Sequence, residues 1–184
     1  MISKVINILK KENISAGYSF SSVQANFPKR ISDAIITWGI KNIPGNEIYK
    51  DDDIKGREDD IHTTVLFGLH TTDPKDVKNI VGDKKPLKIK MGKMSVFNNN
   101  KYDVLKIDIE GKRLRWMHEV LKRKLSNSQD FPTYIPHCTI AYMKKGFAYK
   151  YIGNSTFDKI SFLCEDLIFS SKDGVKTKIK LEGI

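Results

Sequence analysis

IHTTVLFGL, residues 61–69, and IPHCTIAYM, residues 135–143, are two β-branched and aromatic runs, each carrying a histidine with a threonine two positions further on. Side chains alternate across a β-strand, so His62 and Thr64 project from one face, and His137 and Thr139 do the same on the second strand. A single strand histidine is most simply a satisfied structural one. Repetition changes that reading. Two H-x-T strands 75 residues apart, each preceded by a helix and a loop, predict two pseudo-symmetric lobes that bring their His and Thr to a shared groove. The spelling alone is not enough. His70, Thr71 and Thr72 also match it, but they precede Asp73 and Pro74, where a threonine supports a helix start.

Working outward, strands and helices alternate without a linker. AGYSFSSVQANF (16–27) reads as a first strand. PKRISDAIITWGIKNI places Ile31, Ala34, Ile35 and Trp38 at helical spacing behind Pro28, and Pro44 with Gly45 ends that helix. After the first H-x-T strand, Asp73 is a helix N-cap, Pro74 the first helical residue and Gly82 the stop. PLKIKMGKMSVF and YDVLKIDIE alternate with period two around Asn98, Asn99 and Asn100, the pattern of an antiparallel hairpin. GKRLRWMHEVLKRKLSN puts Leu114, Met117, His118, Leu121 and Leu125 on one stripe, which makes His118 structural. The tail closes with FDKISFLCEDLIFSS and GVKTKIKL, whose last strand sets Val175, Thr177, Ile179 and Leu181 against Lys176, Lys178 and Lys180. The expected architecture is α+β over one domain, residues 1–184, with 1–15 a peripheral helix or extension.

Composition narrows the classes. A chain of 184 residues with 40% hydrophobic content can bury a core without staples. Cys138 and Cys164 lack C-x-x-C spacing, which argues against a disulfide framework or zinc ribbon and for a cytoplasmic setting. Apolar runs are too short for a membrane span. Lys and Arg total 32 against 22 acidic residues, and the net charge of +10 favours an anionic partner. The acidic runs at 51–53 and 58–60 have no His partners at ligand spacing, so no metal site is expected.

Two imidazoles and two hydroxyls suit cleavage of a ribonucleotide phosphodiester. One imidazole takes a proton from the attacking hydroxyl and the other protonates the leaving oxygen, while Thr64 and Thr139 donate to the phosphate oxygens. Sequence does not fix which histidine is the base. His62, Thr64, His137 and Thr139 are the catalytic candidates. Tyr18, Phe97, Tyr142 and Tyr134 are candidates for stacking bases, against the plainer reading of aromatic residues as core.

The paired motifs HTT at 62–64 and HCT at 137–139 resemble the 2H phosphoesterase superfamily, which includes RNA 2',3'-cyclic phosphodiesterases and the so-called 2'-5' RNA ligases. GREDDIHTTVLFGLH, DVLKIDIE, FPTYIPHCTIAYMKKG and IFSSKDGVKTKIKL extend the likeness towards the phage anti-CBASS phosphodiesterases, which degrade cyclic oligonucleotide defence signals. The resemblance implies a bilobal fold of two antiparallel-sheet lobes with outer helices and a central groove, catalysis without a metal or cofactor, and a viral counter-defence role in the host cytoplasm. It also implies that a carboxylate near Glu165 contacts an adenine amino group; the plain alternative is a solvated strand-end charge. The expected partner is a cyclic oligonucleotide or other small ribonucleotide, with no membrane and no obligate protein partner. Two alternatives stand beside this: an enzyme acting on RNA 2',3'-cyclic phosphate ends, and a non-catalytic protein that sequesters a nucleotide.

Overall fold

The computed structural model describes residues 19–51, 56–128 and 133–183. The expected extension at 1–15 and the candidate Tyr18 lie outside these residues. Eight strands form two antiparallel sheets, each of four. One sheet has the order β2-β1-β7-β8, from His62–Leu69, Ser21–Asn26, Asp166–Ser170 and Lys176–Lys180; the other has β5-β4-β3-β6, from His137–Lys144, Tyr102–Glu110, Leu87–Asn98 and Ser161–Cys164. The two H-x-T strands β2 and β5 are therefore the equivalent edge of each sheet, and they lie against one another where the sheets meet.

The helices are α1 (Lys29–Asn42), α2 (Pro74–Val81) and α3 (Lys112–Lys124). Asp73 caps α2 by accepting from the Lys75 N–H, with Pro74 at the first turn, and Gly82 follows as expected. Leu114, Met117, His118 and Leu121 on α3 are buried, as their spacing requires, and the helix packs over β2 and β3. α1 leans on β5, burying Ile35 and Gly39, whereas Ala34 remains exposed. One continuous apolar core runs from Val23, Val65 and Leu167 in the first sheet to Ile89, Leu105 and Ile107 in the second. Each such fully buried aliphatic side chain contributes about 1.5–3 kcal/mol.

The tail differs from its reading as a plain strand pair. ISFLCEDLIFSS is divided at Glu165: β6 joins β3 in the second sheet, and β7 crosses to pair with β1 and β8 in the first. On β8, Ile179 is buried, but Val175 lies just outside the strand and is exposed.

Candidate active site

The strand pairings sort the site residues by face. Asn26 stands opposite His62 and Gln24 opposite Thr64, while Val23, Ala25 and Val65 turn to the core. In the second sheet Asp108 stands opposite His137 and Lys106 opposite Thr139, while Leu105, Ile107 and Ile109 are buried in the core. Each sheet thus has one apolar face and one face that gathers polar side chains around its H-x-T strand.

Both histidines are held in the same way. Nδ1 of His62 lies 2.6 Å from the carbonyl of Asp60, and Nδ1 of His137 lies 2.8 Å from the carbonyl of Ile135, in each case two residues earlier. A carbonyl only accepts, so Nδ1 carries the hydrogen and Nε2 is the nitrogen left for proton transfer. The surroundings of the two rings differ. The Asp60 carboxylate is 3.6 Å from His62 Nδ1 and is also ion-paired with Lys176. Removal from water pushes the His137 imidazole down to about 4; the Ile135 carbonyl pulls the other way, the charges of Lys106 and His62 add to the fall, and Asp108 opposes it.

The β2 edge is secured from outside. The Tyr134 hydroxyl donates to the Thr64 carbonyl at 2.8 Å, and His118 Nδ1 donates to the Val65 carbonyl at 2.7 Å. The two rings stack with centroids 3.9 Å apart. Burial pushes the Tyr134 phenol up and the His118 imidazole down, so both are neutral near pH 7. His118 is structural, as its helical stripe indicates, and Tyr134 anchors a strand instead of offering a ring face. The β5 edge is covered in turn: the N–H of Tyr49 donates to the Tyr142 carbonyl and that of Glu58 to the Ile140 carbonyl.

The stacking candidates separate. Phe97 packs edge-on to His137, with centroids 4.8 Å apart, which places it beside the candidate catalytic residues. Tyr142 is 3% exposed, closed into a small cluster with Tyr102 and Val104 against which Phe97 packs, and its place there is a packing one. Glu165 is exposed at the crossing between β6 and β7, well away from β5 in its sheet order.

Sequence reasoning missed three further residues on the polar faces. The Gln24 Oε1 and Asn26 Oδ1 atoms are buried without a hydrogen-bond partner among the described residues. Lys106, only 4% exposed, donates to Ser95 Oγ at 2.6 Å and Asp108 Oδ1 at 2.5 Å and sits 4.3 Å above the Phe97 ring. The available signal was the position of Lys106 and Asp108 on the face opposite Leu105, Ile107 and Ile109. Among the described residues no group of three or more His, Cys, Asp or Glu is placed to hold a metal ion, and no helix is long and apolar enough to cross a membrane.

Residues 23–168 match the family described as "Anti-CBASS protein Acb1". No curated protein matches the sequence. Among solved structures the chain is similar to TT0787 of Thermus thermophilus, with 16% identity, a TM-score of 0.60, and coverage of 89% of this chain and 98% of that one. It is similar to E. coli LigT complexed with NADP+, with 13% identity, a TM-score of 0.57, and coverage of 88% and 94%. Kluyveromyces marxianus Usb1 with uridine monophosphate shares 9% identity at a TM-score of 0.51, with coverage of 88% and 97%. These likenesses show that the chain shares the two-sheet, bilobal α+β fold of these structures.

Proposed function

We propose, from the premise that this chain belongs to the family of the anti-CBASS protein Acb1, that it is a phosphodiesterase that opens cyclic oligonucleotide signals using His62, Thr64, His137 and Thr139. The observation that carries the reading is the pair of histidines on adjacent edge strands, each with Nδ1 tied to the carbonyl two residues before it. Both Nε2 atoms are thereby left as proton carriers in one fixed tautomer. Nucleotides on the fold's relatives support the ligand class: E. coli LigT has been seen with 3'-AMP and with ATP, and Usb1 with uridine monophosphate.

The surroundings give the histidines different roles in this reading. His137, uncharged over the neutral range, accepts the proton of the attacking ribose hydroxyl through Nε2 as that oxygen bonds to phosphorus. The bond from phosphorus to the leaving oxygen breaks, and His62, which lies beside the Asp60 carboxylate, supplies the proton from its own Nε2. Thr64 and Thr139 donate to the non-bridging oxygens as charge builds on them. The first product ends in a cyclic phosphate, and water opens it with the two histidines in exchanged roles.

The test is incubation with cyclic di- and trinucleotides, linear 2'-5' oligoadenylate and RNA ending in 2',3'-cyclic phosphate, with products resolved by mass. Rapid linearisation of the rings supports the proposal. Intact rings with efficient opening of RNA ends assign the protein to RNA-end processing, and binding without any product assigns it to sequestration.

A further inference from the structure

The fold places His62 and His137 equivalently and sets an ion pair beside each, but the two pairs are buried differently. At His62 a carboxylate oxygen of Asp60 lies between the imidazole and the half-exposed Lys176. At His137 the buried member is the cation. Lys106 occupies the ladder position opposite Thr139, next to Asp108 opposite His137, and its ammonium is sealed beneath Ser95, Asp108 and the face of Phe97. Phe97 in turn presents its ring to His137. Asp108 is the more exposed partner, with 48% of its side chain in contact with solvent against 5% for Lys106. Water therefore screens the carboxylate more than the ammonium.

A lysine this deeply buried is uncommon and costs desolvation that a methionine of similar length avoids. Packing alone does not call for it. We propose that Lys106 is a positioning residue whose buried ammonium, added to the burial of the His137 ring, makes two structurally equivalent histidines chemically unequal. Among the described residues, the charged and titratable groups facing His137 are Lys106 and Asp108 on β4 and His62 on β2; the ring contact from β3, Phe97, is neutral. Of these, the Lys106 ammonium disfavours a second positive charge and the Asp108 carboxylate opposes it. The inference rests on the reading of His137 as the base, but its measurement does not require turnover.

Lys106→Met and Lys106→Gln both remove the charge; the glutamine amide retains a donor to Asp108 and guards against simple misfolding. The probe is the His137 ring proton followed by NMR through a pH titration, with His118, buried on α3 and stacked on Tyr134, as the internal check on folding. Removing a like charge at this range is expected to raise the His137 midpoint by about one pH unit or more in both variants, with the low-pH limb of kcat/KM moving up in step. Lys106→Arg, which keeps the charge, is expected to leave the midpoint in place. An unchanged midpoint in folded Lys106→Met or Lys106→Gln protein overturns the inference. A shifted midpoint in a protein that cleaves no nucleotide upholds Lys106 and counts against the proposed function alone.

Discussion

His137 ties the residue scale to a pH profile. Its imidazole is depressed to about 4, chiefly by loss of water, so the folded protein resists a proton that the unfolded chain accepts near pH 6.5. The sign follows from proton counts: stability is complete above about 6.5, where both states carry a neutral ring, and is lost as pH falls from there to about 4. Thermal melts from pH 7 to pH 4.5 are expected to show a falling Tm, and His137→Asn is expected to flatten part of that fall. Activity should follow the same group. The acid limb of kcat/KM is expected below about pH 5, the range in which His137 gains its proton, and a limb near 6.5 would show an unperturbed base. That His62 shares a face with Thr64, and His137 with Thr139, was legible because alternation puts i and i+2 together. Lys106 was not, since a lysine on the polar side of a strand reads as solvent-facing until Ser95, Phe97 and Asp108 are known to close over it. The burial of Tyr142 was not legible either, because its place opposite Val104 follows a register shift between Leu105 and Lys106, and its ring closes into the Tyr102 cluster.

At the scale of elements, β2 and β5 are edge strands that carry the proposed catalytic residues, and their outer carbonyls need partners. Tyr134 supplies one from the segment before β5, which links the two H-x-T strands through the hydroxyl bond to Thr64. Tyr134→Phe is expected to cost about 1 kcal/mol in denaturant unfolding and to lower kcat more than it raises KM, because the lost bond orients a strand and does not hold ligand. Equal, small changes in both constants would place Tyr134 outside the site's support. Gly68 marks the end of the same strand. Its φ is +82°, and an added Cβ would fall 2.0 Å from the Ser128 carbonyl oxygen, so Gly68→Ala is expected to destabilise the fold by more than about 1 kcal/mol in the same assay. Most elements were readable from period and punctuation, as the Asp73, Pro74 and Gly82 limits of α2 show. The division of ISFLCEDLIFSS between two sheets was not, because each half satisfies a strand pattern and only the partners, Leu87–Lys90 for one and Ser22–Ala25 for the other, separate them.

For the whole molecule, the two-lobed arrangement was legible from the repeated motif and not from any single strand, since only the repetition requires two sheets to meet. The net charge of +10 acts on approach as well as on binding. With a polyanionic ring as substrate, kcat/KM is expected to fall several-fold between roughly 50 and 300 mM salt, while kcat changes little, because screening weakens attraction without altering the bound groups. The central claim is that His62 and His137 act as a pair on one phosphate. Its most direct measurement is single-turnover cleavage of an adenosine-containing cyclic trinucleotide, in excess EDTA, by the wild type, His62→Ala, His137→Ala and the double variant. The account predicts full wild-type activity in the chelator, losses on the order of a hundredfold or more for each single variant, and a double variant little worse than the poorer single one. Wild-type turnover by either single variant, or activity abolished by EDTA and restored by magnesium or manganese, would contradict it.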